Sequence, residues 1–180
     1  DPRLYVSRSA LRITDGNFKG GLRDADKALD LDPKDADAWY DRSCAQYLGG
    51  DPDAAMKSAK KAMDLRPDYA EALYLIGVVE GEQNDGEAGL EDISKALSMQ
   101  PKIPGGLMSM AVLLYESKQY EQAITKLTEV IATDTTELAA AHYYRADCYY
   151  NLKDKEHACI DWNKSARLGD KDAAYIKKFY

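Results

Sequence analysis

Three prolines, Pro33, Pro67 and Pro101, stand 34 residues apart, and each closes a similar phrase. The phrases run from Lys27 to Pro33, from Lys61 to Pro67 and from Lys95 to Pro101, each opening on Lys-Ala. A fixed period of this length points to a repeat architecture, in which one supersecondary unit recurs and buries its apolar face against its neighbours. It also moves the functional expectation from a catalytic cleft toward an extended binding surface.

Laid out at this period, the chain gives five units, at about residues 2–35, 36–69, 70–103, 104–138 and 139–171. Each holds two apolar-periodic stretches of about 12–14 residues separated by a polar turn, which predicts a helix–turn–helix. Asp15-Gly16-Asn17, Gly49-Gly50-Asp51-Pro52, Asn84-Asp85-Gly86, Lys118-Gln119 and Lys153-Asp154 mark the turns. Asp51 before Pro52 reads as an N-cap with proline at the first helical position. Small residues recur at three places in every unit. They are Ser9, Ser43, Gly77, Ala111 and Ala146 at the eighth position, and Gly21, Ala55, Gly89, Ala123 and Ala158 at the twentieth. The twenty-seventh has Ala28, Ala62, Ala96, Val130 and Ser165. Small side chains let two helices approach closely. The fourth position is bulkier, with Tyr5, Trp39, Leu73, Leu107 and His142, and residues 172–180 read as a capping helix with Lys177 and Lys178 on its polar side.

This pattern resembles the tetratricopeptide repeat family over essentially the whole chain. The resemblance implies an all-α fold, a right-handed α-solenoid of five helix-turn-helix units plus a C-terminal capping helix, forming a single domain over residues 1–180. The ending from Ala158 to Trp162, Leu168 to Asp170 and Ile176 to Tyr180 is similar to the last repeat of many bacterial members, which implies a bacterial source. The chain departs from the family pattern at Arg12, Gln46 and Glu80, where the eleventh position is usually apolar, and at Ala25 and Ala59, where a larger residue is usual. Looser packing of the first half is expected from these. Thr135 replaces the closing proline of the fourth unit.

In the family the first helix of each unit lines a concave groove. The groove positions carried over are Tyr40, Cys44, Tyr47, Tyr74, Val78, Met108, Val112, Tyr115, Tyr143, Asp147 and Tyr150, with Glu82 beside them. Six tyrosines on one face suit an interface, because tyrosine gives large amphipathic contact area at low entropy cost. Asp37, Glu71, Glu82 and Glu116 share that face. They read either as a solvated rim or as a preference for a peptide with Lys or Arg among apolar residues. Gly105 and Gly106 open the fourth unit as a notch in the groove or as a frayed helix start. Some members clamp a C-terminal carboxylate with basic and asparagine side chains. The corresponding positions here are Val6, Ala10, Asp41, Glu71 and Leu75, so that mode is disfavoured.

The net charge is −7, concentrated in residues 70–103, which disfavours nucleic acid as a partner. No apolar run approaches the length of a membrane span. The chain begins at Asp1 rather than methionine, so the expected compartment is the cytoplasm or, with a signal segment removed, the periplasm. Cys44, Cys148 and Cys159 read as small core residues, with a Cys148–Cys159 disulfide as the alternative. His142 and His157 fall on different helices, and no metal spacing or catalytic motif occurs, so neither an enzyme, a metal nor a cofactor is expected. Arg8, Arg42 and Arg145 with Asp24, Asp92 and Asp161 read as inter-helix ion pairs. The expected function is a non-catalytic adaptor or scaffold whose groove binds a peptide segment or helix of a partner protein. A self-associating module, whose groove receives a neighbouring subunit, is the alternative, with a glycan or small-molecule accessory behind it.

Overall fold

Aspartate and asparagine side chains start most of the helices. In a computed structural model describing residues 1–83, 85–133 and 136–176, the helices are α1 (Pro2–Thr14), α2 (Phe18–Leu31), α3 (Ala36–Leu48), α4 (Pro52–Leu65), α5 (Ala70–Glu82) and α6 (Gly86–Met99). They continue with α7 (Gly106–Glu116), α8 (Tyr120–Thr133), α9 (Leu138–Asn151), α10 (Lys155–Arg167) and α11 (Lys171–Ile176). Asn17, Asp35, Asp51, Asp85 and Asp154 each accept a hydrogen bond from a first-turn backbone N–H, satisfying donors the helix leaves open. At the other end, Asp32, Arg66 and Gln100 turn to extended backbone just before Pro33, Pro67 and Pro101. Proline disfavours helical geometry in the preceding residue, which fixes where α2, α4 and α6 stop.

The fold is all-α, as the periodicity predicts, and consists of helix pairs followed by the short α11. Two compact units are present, Asp1–Pro101 with α1 to α6 and Lys102–Tyr180 with α7 to α11. Within a pair, the helices meet at the small positions, and all fifteen of those residues are buried. Gly77 and Gly89 mark a close approach of α5 and α6: a Cβ on Gly89 would lie 2.6 Å from the Gly77 carbonyl oxygen.

Helix α7 starts later than the repeat boundary at Pro104. Gly105 takes a left-handed conformation at φ 71°, so the helix begins at Gly106 and has 11 residues. Of the expected capping segment 172–180, Lys177 to Tyr180 lie outside the described residues, as do Asn84 and Thr135.

The departures at the eleventh position have a physical reason. This position faces the twenty-third on the paired helix, and both are polar in the first unit. Arg12 and Arg8 reach Asp24 at 2.7 and 2.8 Å, and Gln46 hydrogen-bonds Ser58 at 2.6 Å. Glu80 faces Asp92, and burial raises both carboxyls. Arg42 pairs with Asp26 at 2.8 Å, and among the described residues no arginine makes the pair expected with Asp92. In the second unit Asp161 is 2 % exposed and holds both Arg145, at 2.6 Å, and His142, at 2.8 Å. Cys44, Cys148 and Cys159 are free, and Cys148 is fully buried.

Candidate functional site

In the first unit the face of α3 and α5 carries Tyr40, Cys44, Tyr47, Tyr74, Val78 and Glu82. Glu82 is exposed and the other five are half-buried. Tyr47 and Glu82 are joined directly, the tyrosine hydroxyl donating to the carboxylate at 2.5 Å. Tyr40 packs on the core cluster of Ala36, Ala62, Tyr69 and Ala72, with its ring 5.0 Å from that of Tyr69. It therefore contributes to the fold as well as to the surface. Burial pushes the Tyr40 and Tyr47 phenols up, and raises the Cys44 thiol to about 11. A neutral thiol is a poor nucleophile and a poor metal ligand.

Asp37, expected among the acidic rim residues, is already matched. Arg66 donates to both its oxygens at 2.9 and 3.0 Å, and Tyr69 donates at 2.8 Å. These bonds hold the Asp37 carboxyl below its usual range. Arg66 and Tyr69 lie in the link between the second and third pairs, where the 34-residue comparison gives no reason to look. Asp41 was also missed as an unusual group. It is 8 % exposed, its Oδ2 has no hydrogen-bond partner, and burial raises its carboxyl to about 7.

In the second unit, Val112 and Tyr115 on α7 and Tyr143 and Asp147 on α9 are half-buried, and Tyr150 is 36 % exposed. Met108 is buried at 7 %, so it belongs to the core rather than the surface. Four of the unit's aromatic side chains, Tyr115, Tyr143, Tyr144 and Trp162, interact with Asp147. The Tyr115 hydroxyl donates to Oδ2 at 3.3 Å, and Trp162 Nε1 donates to Oδ1 at 3.0 Å. Tyr144 meets Tyr115 edge-on at 5.3 Å and Tyr143 at 5.8 Å, and Tyr150 lies 5.5 Å from the Trp162 ring. Trp162 comes from α10, a second helix, and Tyr144 lies one residue off the expected face. Burial raises Asp147 and carries the Tyr115 phenol to about 12.

A different opening of about 560 Å³ lies in the first unit, lined by residues including Gly16, Phe18, Leu22, Leu48 and Asp51 from the turn ends of the first two pairs. It shares no residue with the tyrosine-bearing face. Among the described residues, no group of three His, Cys, Asp or Glu side chains could hold a metal ion. No described helix is long and apolar enough to cross a membrane.

Residues 11–70 and 108–174, more than half of the chain, match the family model described as Tetratricopeptide repeat. No curated protein is matched at a significant level. Among solved structures, YrrB, described as a TPR protein with an unusual peptide-binding site, is 19% identical. It covers 100% of this chain and 93% of its own, with a TM-score of 0.78. MamA from Desulfovibrio magneticus RS-1, from residue 41 to its end, is 19% identical over 93% of this chain and 94% of its own, at 0.79. A thermophilic TPR protein from Thermus thermophilus is 15% identical over 99% of this chain and 97% of its own, at 0.72. At these identities the likeness shows the fold.

Proposed function

The chain belongs to the tetratricopeptide repeat family, and on that premise we propose that it is a non-catalytic adaptor or scaffold binding a peptide segment or helix of a partner protein. The proposed binding surfaces are faces of the first helices within each unit, the one carrying Tyr47, Tyr74 and Glu82 in Asp1–Pro101 and the one carrying Tyr115, Tyr143, Asp147 and Tyr150 in Lys102–Tyr180. The observation that carries this reading is the half-buried state of Tyr47, Tyr74, Tyr115 and Tyr143. They are held by neighbours such as Glu82 and Asp147, yet keep ring surface accessible for a partner. Anchored rings lose little entropy on binding, which is what an interface hot spot requires. The peptide-binding site named for the structurally similar YrrB supports the same mode of use.

The test is selection of binding peptides from a random display library on the intact chain, followed by titration of the selected peptides into Tyr74→Ala and Tyr115→Ala. Each substitution is expected to weaken binding by about 1–3 kcal/mol, as loss of a buried aromatic anchor does, while the far-ultraviolet circular dichroism stays unchanged. Selected peptides that bind both variants as tightly as the parent would remove the tyrosine face from the reading.

Self-association has its own supporting observation. Leu4 and Leu11, seven residues apart on one face of α1, are 71% and 66% exposed. Sedimentation of the chain across a concentration series tests it, and a concentration-independent monomer would exclude it.

A further inference from the structure

The first unit contains a carboxylate among aromatic rings with its cation in place. Arg66 binds Asp37 through two parallel hydrogen bonds, and its guanidinium lies 4.4 Å from the centroid of the Tyr69 ring. The Tyr69 hydroxyl donates to the same carboxylate. The second unit assembles the same parts around Asp147, with no cation paired to it among the described residues. Its Oδ1 accepts from Trp162 and its Oδ2 from Tyr115, both neutral donors. Tyr143 and Tyr144 lie close enough for its charge to act on their phenols. Among the described residues, no lysine or arginine pairs with Asp147, and the other ionisable group acting on it is the carboxylate of Asp170.

The consequences run in opposite directions. Arg66 pulls the Asp37 carboxyl below its usual range, whereas burial pushes Asp147 above it. A half-buried carboxylate without a cation gains from one more than an exposed carboxylate does, because less water competes.

We propose that Asp147, with the Tyr115, Tyr143, Tyr144 and Trp162 side chains around it, is a subsite for an arginine side chain of the bound peptide, an inference that rests on the peptide-binding reading above. A carboxylate offers two acceptor sites on each oxygen. Asp147 has one side-chain donor on each, so each oxygen retains a site. A guanidinium presents two parallel N–H groups that match this arrangement, whereas an ammonium is a single point charge. The rings supply the second half of the recognition, since guanidinium stacks over aromatic faces. The chain uses that contact on itself, with Arg8 over Tyr5 at 5.4 Å and Arg42 over Trp39 at 5.6 Å.

Trp162 provides the readout, because its indole N–H is bonded to the carboxylate in question. The full chain is titrated with n-propylguanidinium, with its neutral analogue n-propylurea and with n-butylammonium, following the two tryptophan indole resonances by NMR. A Trp39→Phe variant assigns them. The expected result is a saturable shift of the Trp162 resonance with the guanidinium, at an affinity about tenfold or more above that for the urea, with the ammonium between. Asp147→Asn, which keeps an acceptor for the indole, should bring the guanidinium down to the level of the urea. No response to the guanidinium, an equal response to the urea, or preference for the ammonium would overturn the subsite. These comparisons use the unaltered chain, so they stand whether or not the variant folds. Selected peptides that bind through the tyrosine face without requiring arginine would overturn the arginine assignment and leave peptide binding intact. A guanidinium response with no peptide found to bind would support the Asp147 chemistry and count against the peptide-binding reading.

Discussion

Asp41 shows how a single side chain can work against the fold around it. It occupies the sixth position of the second repeat, residues 36–69, where nothing in the repeated pattern marks it for burial. In the structure it is almost fully buried, with one oxygen unbonded and its carboxyl raised to about 7 by burial, and by the charges of Asp37 and Asp35. Because the folded state binds this proton more tightly than the unfolded chain, protonation stabilises. The gain accumulates as pH falls from the folded value toward the ordinary carboxylate value, and is absent above about 7. The chain should therefore be more stable at pH 5.5 than at pH 7.5, by on the order of 1–2 kcal/mol from this group. Asp41→Asn should abolish most of that difference in denaturant melts at the two pH values. An unchanged difference in the variant would place its origin elsewhere.

At the scale of the helix pair, the repeat does its work through two kinds of position. The first is the left-handed residue in the turn between paired helices. Gly16 and Gly50 supply it at φ 77° and 88°, but Lys118 and Lys153 supply it at 59° and 69°. A side chain in this region is strained, and glycine is not. Lys153→Gly should raise stability by about 0.5–1 kcal/mol in chemical denaturation, since the lower strain outweighs the entropy glycine adds to the unfolded chain. A loss of stability would show that the lysine side chain contributes more than its backbone costs. The second kind is the small residue at the helix crossing. Gly89→Ala should destabilise by about 1–3 kcal/mol, because the new methyl meets the Gly77 carbonyl rather than a flexible side chain. A thermal melt indistinguishable from the parent would mean that α5 and α6 separate at little cost.

The small positions and the places of the turns were legible in the sequence, because a period turns weak local preferences into repeated ones, whereas the left-handed backbone of Lys118 and Lys153 was not. The family resemblance supplied the first-helix positions Tyr47 and Tyr74 in one unit and Tyr115 and Asp147 in the other. It failed at Met108, where the late start of α7 after Gly105 accompanies burial of an expected surface residue. It was silent on Arg66, Tyr69 and Trp162. These reach Asp37 and Asp147 from the inter-pair link and a second helix, across separations of 15 to 32 residues. Such contacts depend on three-dimensional approach and leave no periodic trace. The polar eleventh position was visible as an anomaly, but its meaning came only with its partners, Asp24 and Ser58.

For the whole molecule, the five repeats are proposed to act as one domain across residues 1–180. The chain carries its own reporters for this, since Trp39 lies in one compact unit and Trp162 in the other. Repeats coupled through their neighbours unfold together when the coupling terms are large compared with the stability differences between repeats. Denaturant unfolding followed by fluorescence in Trp39→Phe and in Trp162→Phe should then give coincident midpoints. Two separated midpoints would divide the chain into independent domains.

Peptide recognition by the tyrosine-bearing face is tested most directly by hydroxyl-radical footprinting of the chain with and without a selected peptide. Exposed Leu31, Leu65 and Ile160 on the second helices serve as internal references. Binding at the first helices should protect Tyr47, Tyr74, Tyr115, Tyr143 and Tyr150 from oxidation and leave the three references unchanged. Protection of Leu31, Leu65 and Ile160 with the tyrosines oxidised as before would contradict it.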